Sequence, residues 1–149
     1  MKVFRKYNIR STIYACSGIV MTTRKFWFRY PGLNVRQLKK MDHGVRLECI
    51  KFEGYSIEEC FIDDERQAIN GSELLEMRDF VDFQSHTRFH PILTTCTEAE
   101  VRAELMESRQ ELQEKTGKPV FHFAYPNGDY SPREIRLLKE AGYKSARTT

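Results

Sequence analysis

His86 and His90 form an H-x-x-x-H pair placed directly before Pro91. Proline lacks the N–H that a helix interior requires and restricts the residue before it, so the pair belongs to a loop or a single turn. A spacing of four sets both imidazoles on one side of such a turn, where neutral rings can converge on one Zn²⁺ or similar divalent ion. Two ligands are not a site: a third protein ligand is needed, with an open position for water if the ion is catalytic. The spacing by itself also fits two polar residues of an ordinary strand-to-helix loop. No G-x-x-x-x-G-K, G-x-G-x-x-G or G-x-S-x-G occurs, which leaves phosphate-loop and serine-elbow chemistry without support.

The elements that must position this pair alternate between strand and helix. Residues 2–7 carry Val3, Phe4 and Tyr7 at helical spacing, and Asn8-Ile9-Arg10 turns into the β-rich Ser11-Thr12-Ile13-Tyr14-Ala15-Cys16. Residues 22–56 are irregular: an aromatic cluster (Phe26, Trp27, Phe28, Tyr30), a Pro31-Gly32 turn, a short helix from Asn34, and a strand-like alternation of Val45, Leu47 and Cys49. This stretch reads as an insertion or lid. A helix over 72–77 precedes the apolar strand Phe80-Val81-Asp82-Phe83, which runs into the histidine loop.

Thr97 and Glu100 form a capping box for a helix with Val101, Leu105 and Leu112 at apolar positions, stopped by Gly117. Residues 120–125 read as a strand ended by Pro126-Asn127-Gly128. Ser131-Pro132-Arg133-Glu134 then opens a helix that runs to Ala141 and stops at Gly142, before a last strand after Tyr143. Such alternation predicts a parallel α/β sheet or barrel, whose sites form at the carboxyl ends of strands.

With 149 residues, 40% hydrophobic and 30% charged, residues 1–149 have the composition of a single globular domain. The 24 Lys+Arg against 21 Asp+Glu leave +3, short of the basic stripe of a nucleic-acid binder, and no nucleic-acid partner is expected. No run approaches the ~20 apolar residues of a membrane span. Cys16, Cys49, Cys60 and Cys96 include no C-x-x-C pair and read as free thiols of a reducing compartment. The 11–20 stretch behind Lys2, Arg5 and Lys6 is too short and mixed for a secretory signal, so the chain as it stands reads as cytoplasmic.

Gln84-Ser85-His86-Thr87-Arg88-Phe89-His90-Pro91, followed by Phe123-Ala124-Tyr125-Pro126-Asn127-Gly128-Asp129-Tyr130-Ser131, resembles the second and third motifs of the polysaccharide deacetylase family, also called the NodB-homology domain or carbohydrate esterase family four. The resemblance extends over roughly the whole chain, with Lys6-Tyr7-Asn8-Ile9-Arg10-Ser11-Thr12-Ile13 similar to the family's passage from helix to second strand. It implies an α/β fold, a partial (β/α) barrel of the deacetylase type lacking the first strand and the last strands. The family's Thr-Phe-Asp-Asp-Gly motif, source of the general base and the third metal ligand, would lie before Met1. The later motifs, with the histidine that acts as general acid, would lie beyond Thr149, so the domain reads as truncated at both ends.

The resemblance also implies roles. His86 and His90 would bind a divalent metal, Zn²⁺ or another such as Co²⁺; the Thr87 hydroxyl would brace the loop; the Asn127 N–H would hold an oxyanion; Tyr125 and Pro126 would touch substrate. Ala124 stands where the family often has the arginine that orients the base. The implied reaction is metal-assisted hydrolysis of N-acetyl groups on an amino-sugar polysaccharide, giving acetate and a free amine. Without the aspartates the chain is expected to be inactive alone, or to need a complementing chain or self-association. The alternative is a non-catalytic carbohydrate- or metal-binding remnant of a broken deacetylase gene. The parent enzyme could be exported.

Other residues take plainer readings. Asp63 and Asp64 sit in the wrong order to replace the missing aspartates and read as a solvated face or cap. Trp27 either lines a sugar-binding cleft or packs under the insertion. His43 falls in a polar loop, and His122 alternates with Phe121 and Phe123 to face helices or solvent. Arg88 and Asp129 flank the two motifs as surface charge.

Overall fold

β1 (Ser11–Ala15), β2 (Val81–Ser85), β3 (His122–Ala124) and β4 (Ser145–Arg147) pair in parallel in the order β1-β2-β3-β4. They belong to a computed structural model that describes residues 2–29, 34–55 and 66–149; Tyr30, Pro31, Gly32, Cys60, Asp63 and Asp64 lie outside the described residues. Each strand adds on the same side as the last, which is the winding of a barrel, whereas a doubly wound sheet reverses at a switch point. Ala15 aligns with Ser85, and Ser85 with Phe123, so three strands end nearly level. Residues 16–18, 86–91 and 125–128 therefore share the carboxyl edge of the sheet.

The helices obey their caps. α1 (Lys2–Tyr7) ends at Asn8, whose φ of 49° starts the turn into β1. α4 (Gly71–Met77) and α5 (Glu98–Thr116) both begin with reciprocal capping boxes, Asn70 with Glu73 and Thr97 with Glu100, and α5 stops where Gly117 takes φ 67°. α6 (Pro132–Glu140) starts under Ser131, which accepts the Arg133 N–H at 3.2 Å. Val101, Leu105 and Leu112 of α5 are fully buried with Phe83 and Phe123 of the sheet in the main core.

Two expectations in the 22–56 stretch are corrected. Val45, Leu47 and Cys49 lie in a helix, α3 (His43–Phe52), not in a strand. Asp42 caps it by accepting the Gly44 N–H at 3.0 Å, and its buried positions, Arg46 and Ile50, are four apart, while Val45 is 55% exposed. So few apolar residues mark this helix that a chance alternation of period two imitates a strand. His43 opens the helix and is no loop residue. The helix from Asn34 is the short α2 (Val35–Leu38). Trp27, Leu38, Ile50, Tyr55 and Ile92 form a second apolar cluster, through which this segment packs behind His90.

β3 is also shorter than the run 120–125. The N–H groups of Phe121 and His122 donate to Gln84 Oε1, at 2.9 and 2.7 Å, so a buried side chain replaces the strand ladder there.

Candidate active site

The histidine loop leaves β2 in a strained conformation. Thr87 has φ 70° and His90 φ 61°, both in the left-handed region, which for a β-branched residue costs on the order of 1–3 kcal/mol. The surroundings over-determine it. The Thr87 hydroxyl donates to the His86 carbonyl and accepts the His90 N–H at 2.9 Å, and Thr87 is fully buried. The loop after β1 donates Ser17 N–H to Thr87 O at 3.1 Å and Gly18 N–H to Arg88 O at 3.0 Å. A Cβ at Gly18 would run into the Phe89 ring, so glycine here lets the ring lie against the loop backbone. From α5, the Glu104 carboxylate accepts the Arg88 and Phe89 N–H groups at 2.6 and 3.3 Å. Trp27 Nε1–H donates to His90 O at 3.0 Å.

The two imidazoles meet with centroids 4.7 Å apart and planes at 78°. His86 Nδ1 lies 2.8 Å from Ala124 O. A carbonyl only accepts, so Nδ1 carries the proton and Nε2 keeps a lone pair, the tautomer that metal-binding histidines adopt. His90 Nδ1 is buried with no hydrogen-bond partner, an unsatisfied atom that costs free energy unless something fills its place. Burial lowers the His86 pKa; burial, followed by the neighbouring His86, pushes His90 down to about 4. Both rings are therefore neutral at pH 7, the form that binds metal. The pair fits two nitrogen donors of a divalent-ion site. Among the described residues no group of three His, Cys, Asp or Glu converges on such a site.

Across from the pair, Asn127 takes φ 60°, which asparagine tolerates. Its side chain is gripped on both sides: Lys39 Nζ donates to Oδ1 at 2.6 Å, and Nδ2 donates to Asp129 Oδ2 at 2.6 Å. The turn's own hydrogen bonds use the N–H groups of Gly128, to Tyr125 O at 2.9 Å, and Asp129, to Pro126 O at 3.4 Å.

Burial changes the part played by three residues expected to meet substrate. Trp27 is 4% exposed and packs under the 22–56 segment, the second of its two readings, with the Arg46 guanidinium 4.9 Å above its ring. Tyr125 is 5% exposed and stacks on Tyr130, and Pro126 is buried; both shape the turn from behind. The aromatic rings beside His90 are Phe26 and Phe28, at 5.9 and 4.9 Å between centroids. Arg88 turns away to Glu107 and Glu111 of α5. A cavity of about 440 Å³ opens beside His86, lined also by Tyr14, Cys16, Phe26 and Gln67.

Cys16, Gly18 and Glu104 support the loop and carry no role in the sequence reading. Gly18, three residues past the end of a strand, was the one with a local signal, since isolated glycine marks close backbone approach. Cys16 Sγ donates to His86 O at 3.1 Å and Glu104 caps Arg88, pairings separated by 70 and 16 residues that no local pattern reveals.

A family model described as polysaccharide deacetylase matches residues 1–146. No curated protein sequence matches. A polysaccharide deacetylase from Bacillus cereus is 27% identical with a TM-score of 0.53, over 73% of this chain and 37% of that one. IcaB from Ammonifex degensii is 16% identical with a TM-score of 0.62, over 99% and 52%. The Streptococcus pyogenes deacetylase PplD, solved in complex with acetate, is 24% identical with a TM-score of 0.55, over 58% and 38%. The α/β fold is thus that of the deacetylase barrels, and the chain spans between 37% and 52% of the length of these structures.

Proposed function

The chain belongs to the polysaccharide deacetylase family, and from that premise we propose that it acts in removing N-acetyl groups from an amino-sugar polysaccharide with a divalent ion, Zn²⁺ or Co²⁺. The observation that carries this reading is the bond from His86 Nδ1 to Ala124 O at 2.8 Å, which joins the histidine loop to the Pro126 turn in one site.

His86 and His90 would hold the ion, which when bound polarises the amide carbonyl and lowers the pKa of water. Thr87 fixes the spacing of the two histidines by bonding the carbonyl of one and the N–H of the other. Trp27 pins the His90 carbonyl, and the Ala124 carbonyl sets the His86 tautomer. The Asn127 N–H, with its side chain locked by Lys39 and Asp129, serves as donor to the oxyanion that develops on the substrate. Among the described residues no third ligand joins the pair, and no general base is assigned.

Acetate release from N-acetylglucosamine oligomers, with added Zn²⁺ or Co²⁺ and a His86→Ala control, tests the reading. Release above the control is expected. Equal background in both proteins rejects catalysis and leaves ion binding, read by calorimetry on the same two proteins, as the function.

A further inference from the structure

Residues 22–55 hold eight Lys and Arg against three Asp and Glu, or +5 in a chain whose total is +3, so the rest of the molecule is net acidic. Of these cations, Lys39 and Arg46 act electrostatically on His90. On the β3 side, exposed Lys39 reaches Asn127. On the β1 side, Phe26, Phe28, Arg29, Arg66 and Gln67 line a groove of about 660 Å³. Phe26, Arg66 and Gln67 also border the cavity that reaches His86, so the two spaces adjoin. Glu73 neutralises Arg66 at 2.9 Å; among the described residues, exposed Arg29 lines the groove and exposed Lys39 sits at the Asn127 turn, and these two cations flank the site.

Half-buried Phe26 and Phe28 present apolar ring surface next to His90. Apolar rings suit the faces of sugars, and guanidinium and ammonium groups suit carboxylates. We propose that this segment binds an acidic saccharide, in which an N-acetylated amino sugar lies at the histidines and Arg29 and Lys39 meet carboxylates on neighbouring sugars to either side. This rests on the deacetylase reading and narrows its substrate to carboxylate-bearing amino-sugar polymers.

Trp27, the single tryptophan, has Phe28 edge-on at 5.5 Å and reports on the groove by fluorescence. The full chain is titrated with hyaluronan oligosaccharides, which alternate glucuronate and N-acetylglucosamine, and with N-acetylglucosamine oligomers of equal length. At low salt the acidic ligand should bind about tenfold more tightly, and the advantage should collapse near ~0.5 M salt, where exposed charges are screened. Arg29→Gln and Lys39→Gln should each reduce the preference, with Lys39→Arg retaining it; the wild-type salt dependence needs no variant. Equal affinity for the two ligands, a preference indifferent to salt, or equally tight binding of single-stranded DNA would overturn the inference. Acidic preference without turnover sinks the proposed reaction alone, and turnover of neutral oligomers without acidic preference sinks this inference alone.

Discussion

Thr87 holds a β-branched side chain at φ 70° because its hydroxyl is bonded on both sides, to His86 O and from His90 N. Thr87→Val keeps the shape and the strain but strands two backbone groups, and should lower stability by about 2–4 kcal/mol in urea unfolding. Thr87→Ser keeps the oxygen and should stay within about 1 kcal/mol of wild type. Equal stability of the two variants would remove the hydroxyl from the account. Gly18→Ala meets the Phe89 ring and should cost about 1–3 kcal/mol, much of it recovered when Phe89→Ala is combined with it, as a double-mutant cycle reads directly. The histidines and Thr87 were legible because a motif is local. Which of its two readings Trp27 takes was not, because its burial is set by Leu38, Ile50 and Tyr55, which a linear reading cannot bring together.

At the scale of elements, α5 does two jobs: Val101, Leu105 and Leu112 anchor the sheet, and Glu104, on a neighbouring turn, caps the histidine loop. Burial pushes the Glu104 pKa up to about 7, against the pull of the Arg88 and Phe89 N–H groups. A carboxyl raised in the folded state keeps its proton there while the unfolded chain has already released it. Its contribution to stability is therefore complete below about pH 4.5 and is lost as pH rises toward 7. Glu104→Gln should flatten that part of the stability curve, measured by urea unfolding between pH 4 and 8; an unchanged slope would show that another group controls it. α5 and α6 were readable because side chains close to each N-terminus write their caps, while α4 was read from its pattern, its Asn70–Glu73 cap showing only in the structure. α3 was not, since its one cap, Asp42, is followed by only a thin apolar face.

For the whole molecule, parallel strands and the placing of both motifs at one sheet edge follow from alternation, but which strands lie outermost is a matter of pairing between distant residues. Among the described residues β1 and β4 are the edges, and β1 borders the 440 Å³ cavity through Ile13, Tyr14 and Ala15. An unpaired parallel edge offers N–H and C=O groups to another strand, and the apolar lining adds hydrophobic attraction. Phe52, 92% exposed, and Leu75, 57% exposed, enlarge the apolar surface elsewhere. The chain should therefore associate at micromolar concentration, seen as species heavier than 17.6 kDa in sedimentation velocity. Tyr14→Lys puts a charge where an incoming strand would pack and should shift the distribution toward monomer. A wild-type monomer that unfolds in one sharp thermal transition would contradict this.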